Sequence, residues 1–258
     1  MSFKNYFSTR AALYAAYRPV YPEALFDFIA TLPARRRTAL DCATGNGQAA
    51  VGLAKRFEHV VALDASAEQI DHATAQPRIE YRVARAEDSG LPRRSVDLVT
   101  VAQALHWLDT PTFFAEAERV LIDDGAIAVW GYGDPTLDSD ALDRTLREFN
   151  RGLLEDYWQP ERKLLLNGYQ SIDFPFAEVE VPTFELEMSW TLAEVAGYLR
   201  TWSATARYVA EHDFDPVVDV EKALMVHWGD AESRRTIWWP LHMRAGRIRR
   251  HDSRKPSG

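Results

Sequence analysis

The chain of 258 residues contains one cysteine, Cys42, so no disulfide can form within it. That scarcity suits a reducing compartment, and a cytoplasmic location is expected. No run of 18 consecutive apolar residues occurs, which excludes an ordinary helical membrane span. The first residues include Lys4, Asn5 and Arg10 and lack an apolar segment, so no secretory leader is expected. Positive charge is also short: Lys and Arg total 30 against 38 Asp and Glu, for a formal net charge of −8. Nucleic acid and membrane are therefore not the expected partners. The exception lies at the end, where residues 244–258 carry six basic side chains against the single acid Asp252. Residues 246–258 read as a basic, solvated tail. There is no internal repeat and no low-complexity segment, and no metal is expected.

What is present is apolar residue, 47% of the chain, enough for a sizeable core. The length suits one large α/β domain or a domain with an insertion. The first 34 residues are rich in aromatics, with one helix stopping before Pro19 and another following Pro22. Strands and helices then alternate. Apolar or alternating runs predict strands at 38–43, 60–65, 79–86, 95–103 and 125–131. Helices are predicted at 47–57, 66–75 and 111–121. This rhythm implies a mainly parallel sheet with helices on both faces. It breaks after Gly133, so residues 134–180 read as an insertion or cap, with a helix around 138–155. A strand at 184–190, helices at 191–212 (broken near Ser203) and 216–228, and a last strand at about 235–243 complete the pattern. In that strand Pro240 requires an edge or a bulge.

The informative stretch is "LDCATGNGQAA", residues 40–50. Gly45, Gly47 and Ala50 match the dinucleotide fingerprint G-x-G-x-x-G/A, and Asp64 ends the next strand, where an acid binds ribose hydroxyls. A nicotinamide or flavin oxidoreductase fits that pattern. Asp41 argues against it. A pyrophosphate at this turn would be repelled by a neighbouring carboxylate, by ~4 kcal/mol at ~4 Å for an effective dielectric of 20. S-adenosylmethionine offers cations instead, an ammonium and a sulfonium.

The run D-x-[GA]-x-G-x-G at 41–47, followed by Asp64, resembles the class I S-adenosylmethionine-dependent methyltransferases. The resemblance implies a Rossmann-like α/β fold, with a seven-stranded sheet of order 3-2-1-4-5-7-6 and an antiparallel last strand. Segments "YRPVYP" (17–22), "AQALHW" (102–107), "VWGYG" (129–133) and "YLRTWSATARY" (198–208) are similar to the small-molecule carboxyl methyltransferases typified by trans-aconitate methyltransferase. The match spans residues 3–245, read as one domain with a lid over 1–34. Two positions depart from the family: Ala43 where glycine is usual, and Arg85 where an acid is common. Alanine is the mildest replacement if φ is negative there. These departures leave a binding module without catalysis as a further alternative.

The resemblance assigns roles to residues. Gly45, Gly47, Ala43 and Thr44 shape the cofactor turn, and Asp41 acts near the cofactor's amino group. Asp64, with Ala65 beside it, accepts the ribose hydroxyls. Ala86 and Glu87 hold adenine. Gln103 and Ala104 follow the fourth strand at the ligand end of the sheet. His106 is the first choice for a general base, and the face of Trp107 suits a sulfonium. Tyr14, Arg18 and Tyr21 are lid residues, and Trp130, Tyr132, Trp202 and Arg207 are substrate-side candidates. Cys42 reads as a small core residue. The expected reaction is direct methyl transfer to a small-molecule acceptor, most simply a carboxylate, by a monomer or weak homodimer.

Overall fold

Strands β1 (Thr38–Cys42), β2 (His59–Asp64) and β4 (Val96–Ala102) are buried along nearly their whole length. Near-continuous apolar runs are what a parallel sheet covered on both faces requires. The computed structural model of the protein describes residues 17–248. The proposed lid residue Tyr14 and most of the basic tail lie outside the described residues.

β1 pairs in parallel with β2 on one side and β4 on the other, with Leu40 opposite Val61 and Val99. β2 continues to β3 (Ile79–Val83), and β4 to β5 (Leu121–Tyr132), both in parallel. β5 then pairs antiparallel with β9 (Arg235–Arg247), Ala128 lying opposite Ala245. The order β3-β2-β1-β4-β5-β9 reproduces the expected arrangement, with β9 as the antiparallel strand. β8 (Phe184–Trp190) pairs with β9, in the place of the expected sixth strand. The strand count differs from seven. Two-residue strands β6 (Thr136–Leu137) and β7 (Ala177–Glu178) also pair with β9, giving nine strands.

β9 is longer than the predicted 235–243. Its partner changes at Pro240: Leu241 is opposite Tyr132 of β5, while Trp238 and Ile237 face β6. A residue without an N–H is tolerated at such a change of ladder. Arg247 still pairs with Ala126, so Gly246 and Arg247 belong to the sheet and not to the tail.

The chain divides into two compact units. The sheet unit comprises Tyr21–Tyr132, Leu164–Phe184 and residues 241–248. Helices Glu23–Thr31, Gln48–Ala54 and Thr110–Val120 accompany its strands. The second unit comprises residues 17–20, Gly133–Lys163 and Glu185–Pro240, and is mostly helical. There the expected helix at 138–155 is Asp140–Glu148, followed by a π-helical turn, Phe149–Leu153. The expected break near Ser203 is present, between Leu192–Arg200 and Ser203–His212. Thr191 and Glu194 form a capping box that starts the first of these. Helix Val217–Trp228 ends at Gly229, at positive φ. No helix among the described residues is long and apolar enough to cross a membrane.

Candidate active site

In the sheet unit the strand order reverses between β1 and β4, where open α/β sheets bind ligands beyond the carboxyl ends of their strands. The backbone there is unusual at two non-glycine positions. Ala43, following β1, has φ +52°, and Gln103, following β4, has φ +57°. Left-handed backbone in non-glycine residues is costly and clusters at functional sites. Positive φ at Ala43 removes the condition under which alanine would be a mild replacement for glycine. Ala43→Gly is expected to stabilise the protein by about 1 kcal/mol, raising Tm by roughly 2–4 °C in a thermal melt.

The turn itself is fixed from β2. Gly45 N donates to Asp64 Oδ2 at 2.9 Å, and Thr44 N donates to Leu63 O at 2.8 Å. Gly45 and Gly47 adopt φ of +58° and +88°. A Cβ on Gly47 would stand 2.2 Å from the Tyr81 hydroxyl, so Tyr81 closes over the turn. That hydroxyl donates to Thr74 O at 2.9 Å, and burial, with the charge of Asp41, pushes its pKa up to about 12. Sequence reasoning missed Tyr81, since nothing in the β3 pattern marks the residue above the glycine loop.

Asp41 is the penultimate residue of β1. Its side chain is wholly buried, accepting from Thr44 Oγ1 at 2.6 Å and Thr100 Oγ1 at 2.7 Å. It organises the turn from below. Burial raises its pKa to about 6 against the opposing hydrogen bonds of Thr44, Thr100 and the Ala50 N–H, and the charge of Asp64 raises it further. At neutral pH the two carboxylates therefore give the turn a negative field, which favours a cationic ligand over a pyrophosphate.

The raised pKa carries a stability signature. Between the ordinary 3.8 and about 6 the native state retains a proton that the unfolded chain releases. This group's contribution is thus present below pH 3.8 and is lost as pH rises through about 6. Asn at 41 does not titrate. The stability of Asp41→Asn relative to wild type is expected to rise by roughly 2–3 kcal/mol between pH 4 and 7, read from denaturant melts of both proteins across that range.

Asp64 keeps capacity for a ligand. Oδ2 receives Gly45 N and Oδ1 receives Ser66 N, each at 2.9 Å, and a carboxylate has about four lone-pair sites. Ala65, next to it, is exposed. Ala86 is buried, and Glu87 is engaged: Oε1 accepts from Asp109 N at 3.1 Å, and Oε2 faces Arg85 at 3.4 Å. Glu116 holds the same loop, accepting from both the backbone and the hydroxyl of Ser89 while paired with Arg119.

Beyond β4, Gln103 extends the ladder with its side chain. Its Oε1 accepts from Tyr132 N at 3.2 Å, and its own N–H donates to Trp130 O at 2.8 Å. Gly131 makes room for it, since a Cβ there would lie 2.5 Å from that Oε1. Ala104 and His106 are buried, whereas Trp107 is 54% exposed, its ring centroid 4.6 Å from that of His106. His106 Nδ1 lies 3.3 Å from the hydroxyl of Tyr169, another residue that sequence reasoning missed. Burial holds the Tyr169 hydroxyl in its neutral form, far above its ordinary pKa.

The lid and substrate-side candidates are divided between the two units. Tyr21, Trp130 and Tyr132 are packed in the core of the sheet unit, Tyr21 meeting Trp130 edge-on at 5.7 Å. Among the described residues the buried Trp130 Nε1 has no hydrogen-bond partner. Arg18, Trp202 and Arg207 belong to the second unit. There Arg18 donates to Thr201 O, Trp202 stacks on Phe149 at 6.1 Å, and the exposed Arg207 donates to Tyr157 O.

A parallel sheet with a left-handed glycine turn after β1 and an acid ending β2 defines a domain that binds a nucleoside cofactor. Comparison with known proteins narrows this. A family model described as a methyltransferase domain matches residues 40–129. A Dictyostelium discoideum protein named as a methyltransferase is 33% identical over 226 residues, covering 86% of both chains. A Saccharomyces cerevisiae protein named for S-adenosylmethionine-dependent methyl transfer is 25% identical over 241 residues, covering 80% of this chain and 83% of its own. A solved structure from Anaeromyxobacter dehalogenans, named as a type II methyltransferase, is 42% identical, with a TM-score of 0.85 over 92% of this chain and 100% of its own. The chain belongs to the class I S-adenosylmethionine-dependent methyltransferases. The oxidoreductase reading is set aside.

Proposed function

We propose that the enzyme methylates a small-molecule acid at a carboxylate oxygen. The observation that carries this reading is the placement of His106, buried and turned toward the Tyr169 hydroxyl. An imidazole so engaged is poorly placed to take a proton from an incoming phenol or amine. A carboxylate is ionised near pH 7 and needs no base. The likeness of segments 17–22, 102–107, 129–133 and 198–208 to small-molecule carboxyl methyltransferases supports the same class.

Bound S-adenosylmethionine would supply an electrophilic methyl group on a sulfonium. Asp64 would hold the ribose hydroxyls, and the turn from Ala43 to Gly47 would receive the methionine part. The loop carrying Ala86 and Glu87, braced by Glu116, would border the adenine. Gln103 fixes the backbone beyond β4, and the exposed ring of Trp107 offers a π face to a cation, worth ~0.5–2 kcal/mol. Orientation of acceptor and methyl would provide much of the rate.

Transfer of labelled methyl groups from S-adenosylmethionine to a panel of carboxylic acids, phenols and amines tests the reading. Ester formation is expected, retained in His106→Gln. Transfer confined to phenols or amines, with His106→Gln slower by on the order of 10²–10⁴, would replace it with base-assisted chemistry. Silence across the panel, with cofactor binding intact, would favour a binding module.

A further inference from the structure

The sheet unit has an open edge at β3. Among the described residues this strand pairs with β2 and with no other strand. The phase of that ladder shows which backbone groups are left over. Val60 N donates to Arg78 O at 2.8 Å, and Ala84 N donates to Asp64 O at 3.0 Å. Alternate residues of a strand face its neighbour, so Glu80 and Arg82 turn their backbone groups to β2. Tyr81 and Val83 turn theirs outward. Ile79 also turns outward, and its N–H is engaged by Gln76 O at 3.1 Å, which leaves its carbonyl.

Native edges are commonly blunted by Lys, Pro or a bulge. β3 has none of these: it reads IEYRV, and its register against β2 is unbroken. Its last residue, Val83, is 57% exposed.

The strand is also complementary to itself. A second copy can be laid against it antiparallel, with a two-fold axis at Tyr81. Tyr81 then exchanges both outward hydrogen bonds with its counterpart, and Val83 N meets the carbonyl of the second copy's Ile79. On one face Ile79 covers the exposed Val83. On the other face Glu80 stands opposite Arg82, twice by symmetry. Moving the axis by one residue, to Glu80 or to Arg82, sets like charges face to face, which disfavours the pair. Charge therefore selects a single register. Within the chain Glu80 is already 2.7 Å from Arg82 and 3.4 Å from His59. These contacts are solvent-exposed and worth little, so both side chains are available to a partner strand.

We propose that β3 is a homodimer interface, at which two copies of the chain join through an antiparallel β3 pair centred on Tyr81. The pairing is independent of the acceptor's chemistry. It sets the two-fold axis beside the cofactor turn, because the Tyr81 side chain closes over Gly47.

A single strand pair is a small interface, at the weak end of specific contacts. Sedimentation equilibrium of the full chain across a concentration series reads it. Wild type is expected to show a reversible monomer–dimer equilibrium. Glu80→Arg leaves two positive side chains on this face of β3, and Arg82→Glu leaves two negative ones. Each variant alone is expected to dimerise at least tenfold more weakly than wild type. Mixed in equal amounts, the two present opposite signs on facing strands, and a heterodimer at least as tight as the wild-type dimer is expected. A folding defect in either variant would not be cured by mixing. Val83→Pro removes an outward donor and leaves the β2 ladder untouched; it should weaken the dimer too, and serves if a charge reversal fails to fold. A wild type that stays monomeric throughout the series overturns the interface. So does a dimer indifferent to both reversals, or a mixture no more associated than its components.

Discussion

Asp64→Ala is expected to weaken binding of S-adenosylhomocysteine by about a hundredfold or more, since hydrogen bonds to a charged group are worth about 1.5–3 kcal/mol each. Two effects combine. The ribose hydroxyls lose their acceptor, and the turn loses the bonds that Gly45 N and Ser66 N make to the carboxylate, both at 2.9 Å. Calorimetry gives the first number and a melt of the free protein the second. The rise in Tm that S-adenosylhomocysteine produces in wild type should vanish in the variant, because that rise follows the ratio of ligand concentration to Kd. A variant that is destabilised yet keeps its ligand-induced shift would show that Asp64 only braces the loop.

Gly131→Ala is expected to destabilise the sheet unit by about 2–3 kcal/mol, at the upper end for overpacking, lowering Tm by roughly 5–10 °C. The added Cβ would meet Leu165 Cδ1 at 2.2 Å, Gln103 Oε1 at 2.5 Å and the Tyr169 hydroxyl at 3.2 Å. Leu165 can rotate, but Gln103 is constrained by its left-handed backbone and by its bond to Tyr132 N. Removing the side chain in Gln103→Ala should relieve part of the clash. The double variant should therefore be more stable than the sum of the single losses, with a coupling measurable from denaturant melts. Strict additivity would mean that Gln103 is not what Gly131 accommodates.

The sheet was legible because parallel strands buried on both faces are written as apolar runs. Leu40, Val61 and Val99 betray their strands without help from distant residues. β6 and β7 were not legible, since two residues carry no periodicity. β5 begins at Leu121, four residues before its apolar run, because Asp123 and Asp124 stand exposed within it beside a register shift opposite Val96 and Leu98. The helix expected at 66–75 is only Ala67–Asp71, although its cap, Ser66, is where the sequence put it.

The site was legible in its glycines and in Asp64, whose spacing follows from chain geometry. What escaped depends on long-range packing or on the sign of a dihedral angle. Thr100 meets Asp41 across 59 residues of chain, a support that no local pattern announces. The composition at Ala43 gave no sign of its φ of +52°. Trp107, which as tryptophan invites a core reading, stands in solvent.

The interrupted course of the sheet unit also has a consequence for synthesis. β5 receives its antiparallel partner only from residues 241–247, while its inward residues Ile127 and Val129 are fully buried once the strand is in place. A ribosome adding about 5–20 residues per second needs roughly 5–20 s to pass from 133 to 240. For that interval the nascent chain displays an apolar strand with one edge unpaired, the feature most prone to recruit a wrong strand. The yield of active enzyme in the cell is then set by how well that open edge is guarded while the last strand is still being made.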